Sequence, residues 1–168
     1  VEQLNWEAPE AVIIAVCNGS LALGLSAGFK LLQKSGVITS VPQLIAVQAT
    51  ACAPLATAFA AGQEFPVDIK KGPTLAEGIA SQTPPRGREV LAAVRESRGT
   101  FVTVEEQEIK AALEVLAQRG LYVEPTAATI AAALNKLIAS GQLPDNQRTV
   151  AVLTGSGLKA TDKLQELF

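Results

Sequence analysis

The feature that most constrains this chain is an alternation, sustained almost from end to end, of short apolar runs with segments whose apolar residues recur at helical spacing. Residues 11–16 (Ala11-Val12-Ile13-Ile14-Ala15-Val16) form a continuous apolar run, the pattern of a strand buried on both faces. Residues 21–32 then place apolar side chains at three- and four-residue intervals, and Gly36 closes that helix. The next buried run is 44–47, and 53–60 is small and apolar enough for a tightly packed helix. Residues 62–73 carry Gly, Pro and charge and read as a surface excursion. A short helix at 75–79, a second at 87–98 after the Pro84-Pro85 break, and a strand at 99–104 follow.

The same alternation continues to the end. Thr103 followed by Glu106 has the spacing of a capping box, which satisfies free amides at a helix start. Ile109, Leu113 and Leu116 make one apolar face, and Gly120 ends the helix. Residues 121–123 suit a short strand, and Glu124-Pro125 opens a helix in which proline tolerates the first turn. Ala132, Leu134, Leu137 and Ile138 are expected to bury it, and Gly141 stops it before a last strand at 149–153. Strands alternating with helices imply parallel pairing and right-handed crossovers. The expectation is an α/β fold, an open and mostly parallel sheet with helices on both faces, forming one domain over 1–168.

Composition narrows the chemistry. With 168 residues, 48% hydrophobic and only 18% charged, the chain can build a substantial core. A net charge of -2 without a long basic block argues against nucleic acid as a partner. The apolar runs fall well short of a bilayer span and the first residues read as no export signal, so no membrane association and a cytoplasmic location are expected. Histidine is absent, which excludes Ser-His-Asp and Cys-His nucleophile pairs within the chain and removes the commonest zinc ligand. Cys17 and Cys52 are isolated, so neither a metal site nor a disulfide is expected. The chain has no methionine and starts at Val1 inside a continuing pattern, so a piece of a longer protein is expected.

Four stretches have chemical content. In Val150-Ala151-Val152-Leu153-Thr154-Gly155-Ser156-Gly157-Leu158-Lys159 an apolar run, read as a strand buried on both faces, stops at two glycines around a hydroxyl. This is either a plain tight turn or a site at the carboxyl edge of the sheet, where ligands bind in such folds. A hydroxyl donates or accepts, which suits a ring nitrogen whose protonation must not be forced. In Val16-Cys17-Asn18-Gly19-Ser20-Leu21, small residues between strand and helix either make a tight turn or aim several amides at one anion, naturally a phosphate. Neither a Walker loop nor the dinucleotide fingerprint is present. Glu124, in Glu124-Pro125-Thr126-Ala127, either caps its helix or orients a ligand beside the cleft. Glu77, in Pro73-Thr74-Leu75-Ala76-Glu77-Gly78-Ile79, is read foremost as a solvated or capping side chain.

As an ordered set these segments resemble the pyridoxal-phosphate enzymes related to the tryptophan synthase beta subunit (fold type II), and among them most closely the threonine synthases. The resemblance covers nearly the whole chain. It rests on Val16-Cys17-Asn18-Gly19-Ser20 with Gly28-Phe29-Lys30, Val47-Gln48-Ala49 with Cys52-Ala53-Pro54-Leu55, and Pro73-Thr74 with Ala76-Glu77-Gly78-Ile79. It continues through Pro84-Pro85-Arg86-Gly87, Glu124-Pro125-Thr126 and Leu153-Thr154-Gly155-Ser156-Gly157-Leu158-Lys159.

The resemblance implies that Cys17, Asn18, Gly19, Ser20 and Leu21 hold the phosphate of pyridoxal 5'-phosphate, and that Ser156, with Thr154 beside it, meets the pyridine nitrogen. Glu124 is implied as a supporting residue near the cofactor and not a catalytic one. Two departures stand out: Cys17 occupies a position where the family loop has glycine, and none of the chain's lysines matches the family's Schiff-base lysine, which lies in the first half of such enzymes. The expectation is therefore the carboxyl-terminal, cofactor-cradling part of an enzyme that converts O-phosphohomoserine and water to threonine and phosphate, inactive alone and homodimeric when whole. A threonine or serine dehydratase of the same superfamily and a non-catalytic binding module are the alternatives.

Overall fold

Strand β1 (Ala11–Ala15) is the axis of the sheet, pairing with β2 (Gln43–Ala49) on one side and β4 (Thr149–Ala151) on the other. The computed structural model describes residues 1–144 and 146–167. Within them the sheet has four strands in the order β3-β2-β1-β4, with β3 spanning Thr100–Val104, and every pairing is parallel. In register, Ile13 stands opposite Ile45 of β2 and Ala151 of β4.

Among the described residues six α-helices cover the sheet: α1 (Ser20–Lys34), α2 (Pro54–Ala60), α3 (Gly87–Glu96), α4 (Glu106–Gln118), α5 (Pro125–Ala139) and α6 (Thr161–Leu167). Side chains alternate across a strand, so Val12 and Ile14 join Leu44, Leu55, Val90 and Val94 in the layer under α1, α2 and α3. Ala11 and Ile13 join Val47, Val104, Ile109, Ile130 and Leu164 in the layer under α4, α5 and α6. Ile13 and Ile14 are fully buried, and sealing each between layers contributes about 1.5–3 kcal/mol. The chain moves outward from β1 to β2 and β3 with its helices on one face, then returns to the other side of β1 with its helices on the opposite face.

Four sequence expectations need correction. The helix start after β3 is capped by Glu105 and Glu108, not by Thr103 and Glu106: the Glu105 N–H donates to Glu108 Oε2 at 2.7 Å and the reciprocal bond closes the box. Thr103 is still in the β3 ladder, paired with Gln48. Residues 121–123 form no strand; Leu121 and Tyr122 are exposed, and only Val123 makes a bridge, antiparallel to Ser156. The 150–153 run is not buried on both faces, because β4 lies at the sheet edge in the described chain and Ala151 and Leu153 are exposed. Ile138 is half exposed: Ile130, Ala133 and Leu137 hold the inward stripe of α5, and the residue after Leu137 turns about 100° away from it.

Candidate functional site

In a sheet wound this way the loops leaving β1 and β4 head toward opposite faces, which opens a crevice at the carboxyl ends of those strands. A cavity of about 340 Å³ occupies that crevice. Its wall comes from four separated segments: Cys17 to Leu21 in chain order after β1, Gly78 and Ile79, Glu124 and Thr126 at the start of α5, and Thr154 after β4.

The β1 exit is built for close approach. Gly19 is the N-cap of α1 with φ of 96°, a left-handed conformation that favours glycine, and a Cβ there would also overlap the Val90 side chain. Among the described residues no side chain caps α1, and its first turn holds no carboxylate. The Leu23 N–H reaches the Gly19 carbonyl at 2.9 Å, while the amides of Ser20, Leu21 and Ala22 precede the first intrahelical acceptor. The cavity therefore meets a helix terminus whose amides and dipole favour an anion.

A buried amide, named in the sequence only as part of the Val47-Gln48-Ala49 motif, holds this exit in place. Gln48, at the end of β2, is fully buried. Its Oε1 accepts the N–H groups of Leu55 and Ala56, both at 3.0 Å, and its Nε2 donates to the Val16 carbonyl at 3.4 Å. Gln48 thus caps α2 through space and fixes the last residue before Cys17. In the sequence it stood out only as a member of that motif and as a polar residue directly after the apolar run 44–47.

Glu124 does not act as a side-chain cap. It is the N-cap residue of α5 with Pro125 at the first helical position, yet its side chain makes no capping bond. The carboxylate instead lies in the cavity wall and packs on Gly155, where a Cβ would overlap it. The Glu124 N–H donates to the Gly155 carbonyl at 3.0 Å, and the Gly157 N–H to the Tyr122 carbonyl at 3.0 Å. Together with the Val123–Ser156 bridge, these bonds tie the turn after β4 to the start of α5.

The crevice thus gathers Cys17, Asn18, Gly19, Ser20, Leu21, Glu124 and Thr154. Ser156 is exposed and lies two residues beyond Thr154, outside the cavity wall; its Oγ accepts the Leu158 N–H at 3.3 Å and retains a proton to donate. Glu77 does not enter the crevice. It is exposed and pairs with Lys163 Nζ at 2.8 Å, and that hydrogen bond and charge hold its carboxyl below the usual glutamate value. Its neighbour Gly78 does enter, held by Thr126, whose Oγ1 accepts the Gly78 N–H at 3.2 Å. Burial raises the thiol pKa of Cys52 above the ordinary cysteine value.

A family model described as "Pyridoxal-phosphate dependent enzyme" matches residues 1–155. The chain is 33% identical to the threonine synthase of Methanocaldococcus jannaschii over 162 residues, which is 96% of this chain and 40% of that protein. It is 30% identical to the threonine synthase of Methanosarcina acetivorans, over 94% of this chain and 39% of that protein. Among solved structures, the threonine deaminase of T.th. superposes with a TM-score of 0.66 at 25% identity, over 89% of this chain and 50% of that one. The fungal L-serine ammonia-lyase from Rhizomucor miehei has the same fold, with a TM-score of 0.76 at 22% identity over 98% of this chain and 52% of that one. The chain spans about two fifths of the length of the threonine synthases it matches.

Proposed function

The chain belongs to the pyridoxal-phosphate dependent enzyme family, and from that premise we propose that it forms the cofactor-cradling part of a threonine synthase-like enzyme converting O-phosphohomoserine and water to threonine and phosphate. The observation that carries the reading is the crevice at the ends of β1 and β4, where the uncapped start of α1 meets Glu124 and Thr154. The named threonine synthases, matched along almost all of this chain, supply the choice of reaction.

The residues present fit pyridoxal 5'-phosphate. Three amides without intrahelical acceptors and no carboxylate in the first turn suit its phosphate, with Cys17, Asn18, Gly19, Ser20 and Leu21 forming the cradle. By the family resemblance Cys17 stands where a glycine is usual, and it lines the cradle. Ser156 keeps a hydroxyl proton and a lone pair available for the pyridine nitrogen, so it imposes no protonation on it. Glu124, fixed against Gly155, and Thr154 line the same crevice and would hold the bound cofactor there. When bound, the cofactor supplies an electron sink that stabilises negative charge beside the amino group of a substrate. The chain's own share is to bind and orient it. No lysine here matches the family's Schiff-base position, so the chain alone is expected to be inactive. A cytoplasmic homodimer belongs to the same reading.

A dehydratase acting on threonine or serine is the second reading, favoured by the 25% identity to a threonine deaminase. One assay separates them. The whole protein, loaded with cofactor, is given O-phosphohomoserine and then threonine or serine. Phosphate release from the first supports the proposal; ammonia and a 2-oxo acid from the second, without phosphate release from the first, support the dehydratase. Cofactor uptake with neither product would leave a non-catalytic binding role and defeat both.

A further inference from the structure

The hydroxyl-bearing residues in the crevice wall are not equivalent. Ser20 and Thr154 are exposed, whereas Thr126 is buried, with 8% of its surface exposed. Thr126 Oγ1 accepts the Gly78 N–H at 3.2 Å, and the fit is close: a Cβ on Gly78 would lie 2.7 Å from that oxygen. A threonine hydroxyl carries one proton besides its lone pairs. Among the described residues no group accepts that proton. The segment that brings Gly78 here is fastened away from the crevice as well, since Glu106 Oε2 accepts the Leu75 N–H at 2.7 Å and Lys163 pairs with Glu77 at 2.8 Å. Gly78 is thereby held in place, and its N–H in turn limits how the Thr126 hydroxyl can rotate.

We propose that Thr126 is a further cofactor contact, which donates its hydroxyl proton to the 3-oxygen on the ring of pyridoxal 5'-phosphate; this rests on the cofactor reading above, whichever reaction follows. The two walls of the crevice decide which end of the cofactor meets which. α1 belongs to the helical layer on one face of the sheet and α5 to the layer on the other. The phosphate is drawn to the start of α1, where amides lack acceptors and the first turn holds no carboxylate. The start of α5 brings the Glu124 carboxylate into the wall instead, and that charge repels a phosphate. The ring end therefore faces α5. An ionised carboxylate only accepts hydrogen bonds, so on this wall the Thr126 hydroxyl supplies the donor that a ring oxygen needs. Because Gly78 already restrains the hydroxyl, little freedom is lost when the contact forms.

The test is calorimetric titration of the whole protein, freed of cofactor, with pyridoxamine 5'-phosphate and with its 3-deoxy analogue. Pyridoxamine phosphate has no aldehyde to react with a lysine, and the analogue lacks only the ring oxygen. Thr126→Val keeps the side-chain shape and removes the proton. The parent is expected to prefer pyridoxamine phosphate over the analogue, and Thr126→Val to shrink that preference about tenfold. Thr126→Ser, which keeps a donor, should retain it. A merely structural role through Gly78 would weaken both ligands alike and leave the preference unchanged. Thr126→Ala gives the same loss of preference and carries the test if Thr126→Val fails to fold. No binding of pyridoxamine phosphate by the parent defeats the cofactor reading and this contact with it. Binding by the parent with an undiminished preference in a folded Thr126→Val or Thr126→Ala, or a preference lost in Thr126→Ser, overturns the Thr126 contact alone.

Discussion

The carboxylate of Glu124 packs directly on the backbone of Gly155, and the Glu124 N–H donates to the Gly155 carbonyl at 3.0 Å. Two segments distant along the chain are thereby fixed to each other where the crevice needs both. Gly155 is required here for space, because any Cβ would occupy the volume of the carboxylate.

Gly155→Ala in the whole protein is accordingly expected to push Glu124 aside and weaken cofactor binding about tenfold, while overpacking costs about 1–3 kcal/mol of stability. Titration with pyridoxal phosphate, followed by absorbance, reads the affinity. An unchanged dissociation constant would mean that Glu124 does not help to hold the cofactor.

Gln48→Leu removes the acceptor of two α2 amides and the donor to Val16. Those buried groups lose their partners, so urea unfolding should report a loss of about 1–3 kcal/mol. Cofactor affinity should fall with it, because the β1 exit is no longer fixed. A variant as stable as the parent would show that solvent replaces the amide at no cost.

Ser156→Ala deletes the bond to Leu158 at the head of a four-residue turn. The stability loss should be small, about 0.5–1 kcal/mol. If Ser156 meets the pyridine nitrogen, turnover of the whole enzyme falls well beyond that while cofactor is still taken up. Parental kcat in the Ser156→Ala variant would remove Ser156 from the cofactor's partners.

The Glu77–Lys163 pair gives a pH signature. Glu77 has its carboxyl pKa lowered by the Lys163 hydrogen bond and charge, so the pair's contribution is present above the unfolded-state glutamate value and disappears as pH falls through the lowered folded value. Carbon-detected NMR titration should show Glu77 ionising below the ordinary range, and Lys163→Met should bring it back. Identical titration curves in both proteins would refute the pairing in solution.

Cys17 is partly exposed in the crevice wall, whereas Cys52 is buried and its thiol is raised in pKa by that burial. A thiol reagent at neutral pH should therefore label Cys17 first, since the thiolate is the reactive form and Cys52 holds little of it. Pyridoxal phosphate should slow the labelling of Cys17. Peptide mapping with Cys52 labelled first would contradict this assignment.

The architecture was legible in the sequence because continuous apolar runs and period-3.6 patterns are local. Residues 11–16 and 44–47 had to be strands buried from both sides, and the intervening helical stripe had to cross over between them, which leaves a parallel sheet with two helical layers as the consistent solution. The ordered glycines and hydroxyls around Gly19 and Gly155 also marked where that sheet would open. Partnerships across the chain were not legible. Thr103 looked like a helix cap until its register with Gln48 kept it in β3, and the 150–153 run looked buried until the described strand proved to be the sheet edge. Glu124 had the sequence of a cap; only the arrival of Gly155 from the far end of the chain turned its carboxylate into the crevice. Gln48 and Glu106 carried no local signal of what they hold, since their partners are amides brought to them by the fold. The sequence alone determined the elements and their layering, because periodicity is written within a few residues. The tertiary structure decided which polar groups meet, because a hydrogen bond depends on position in space and not on separation along the chain.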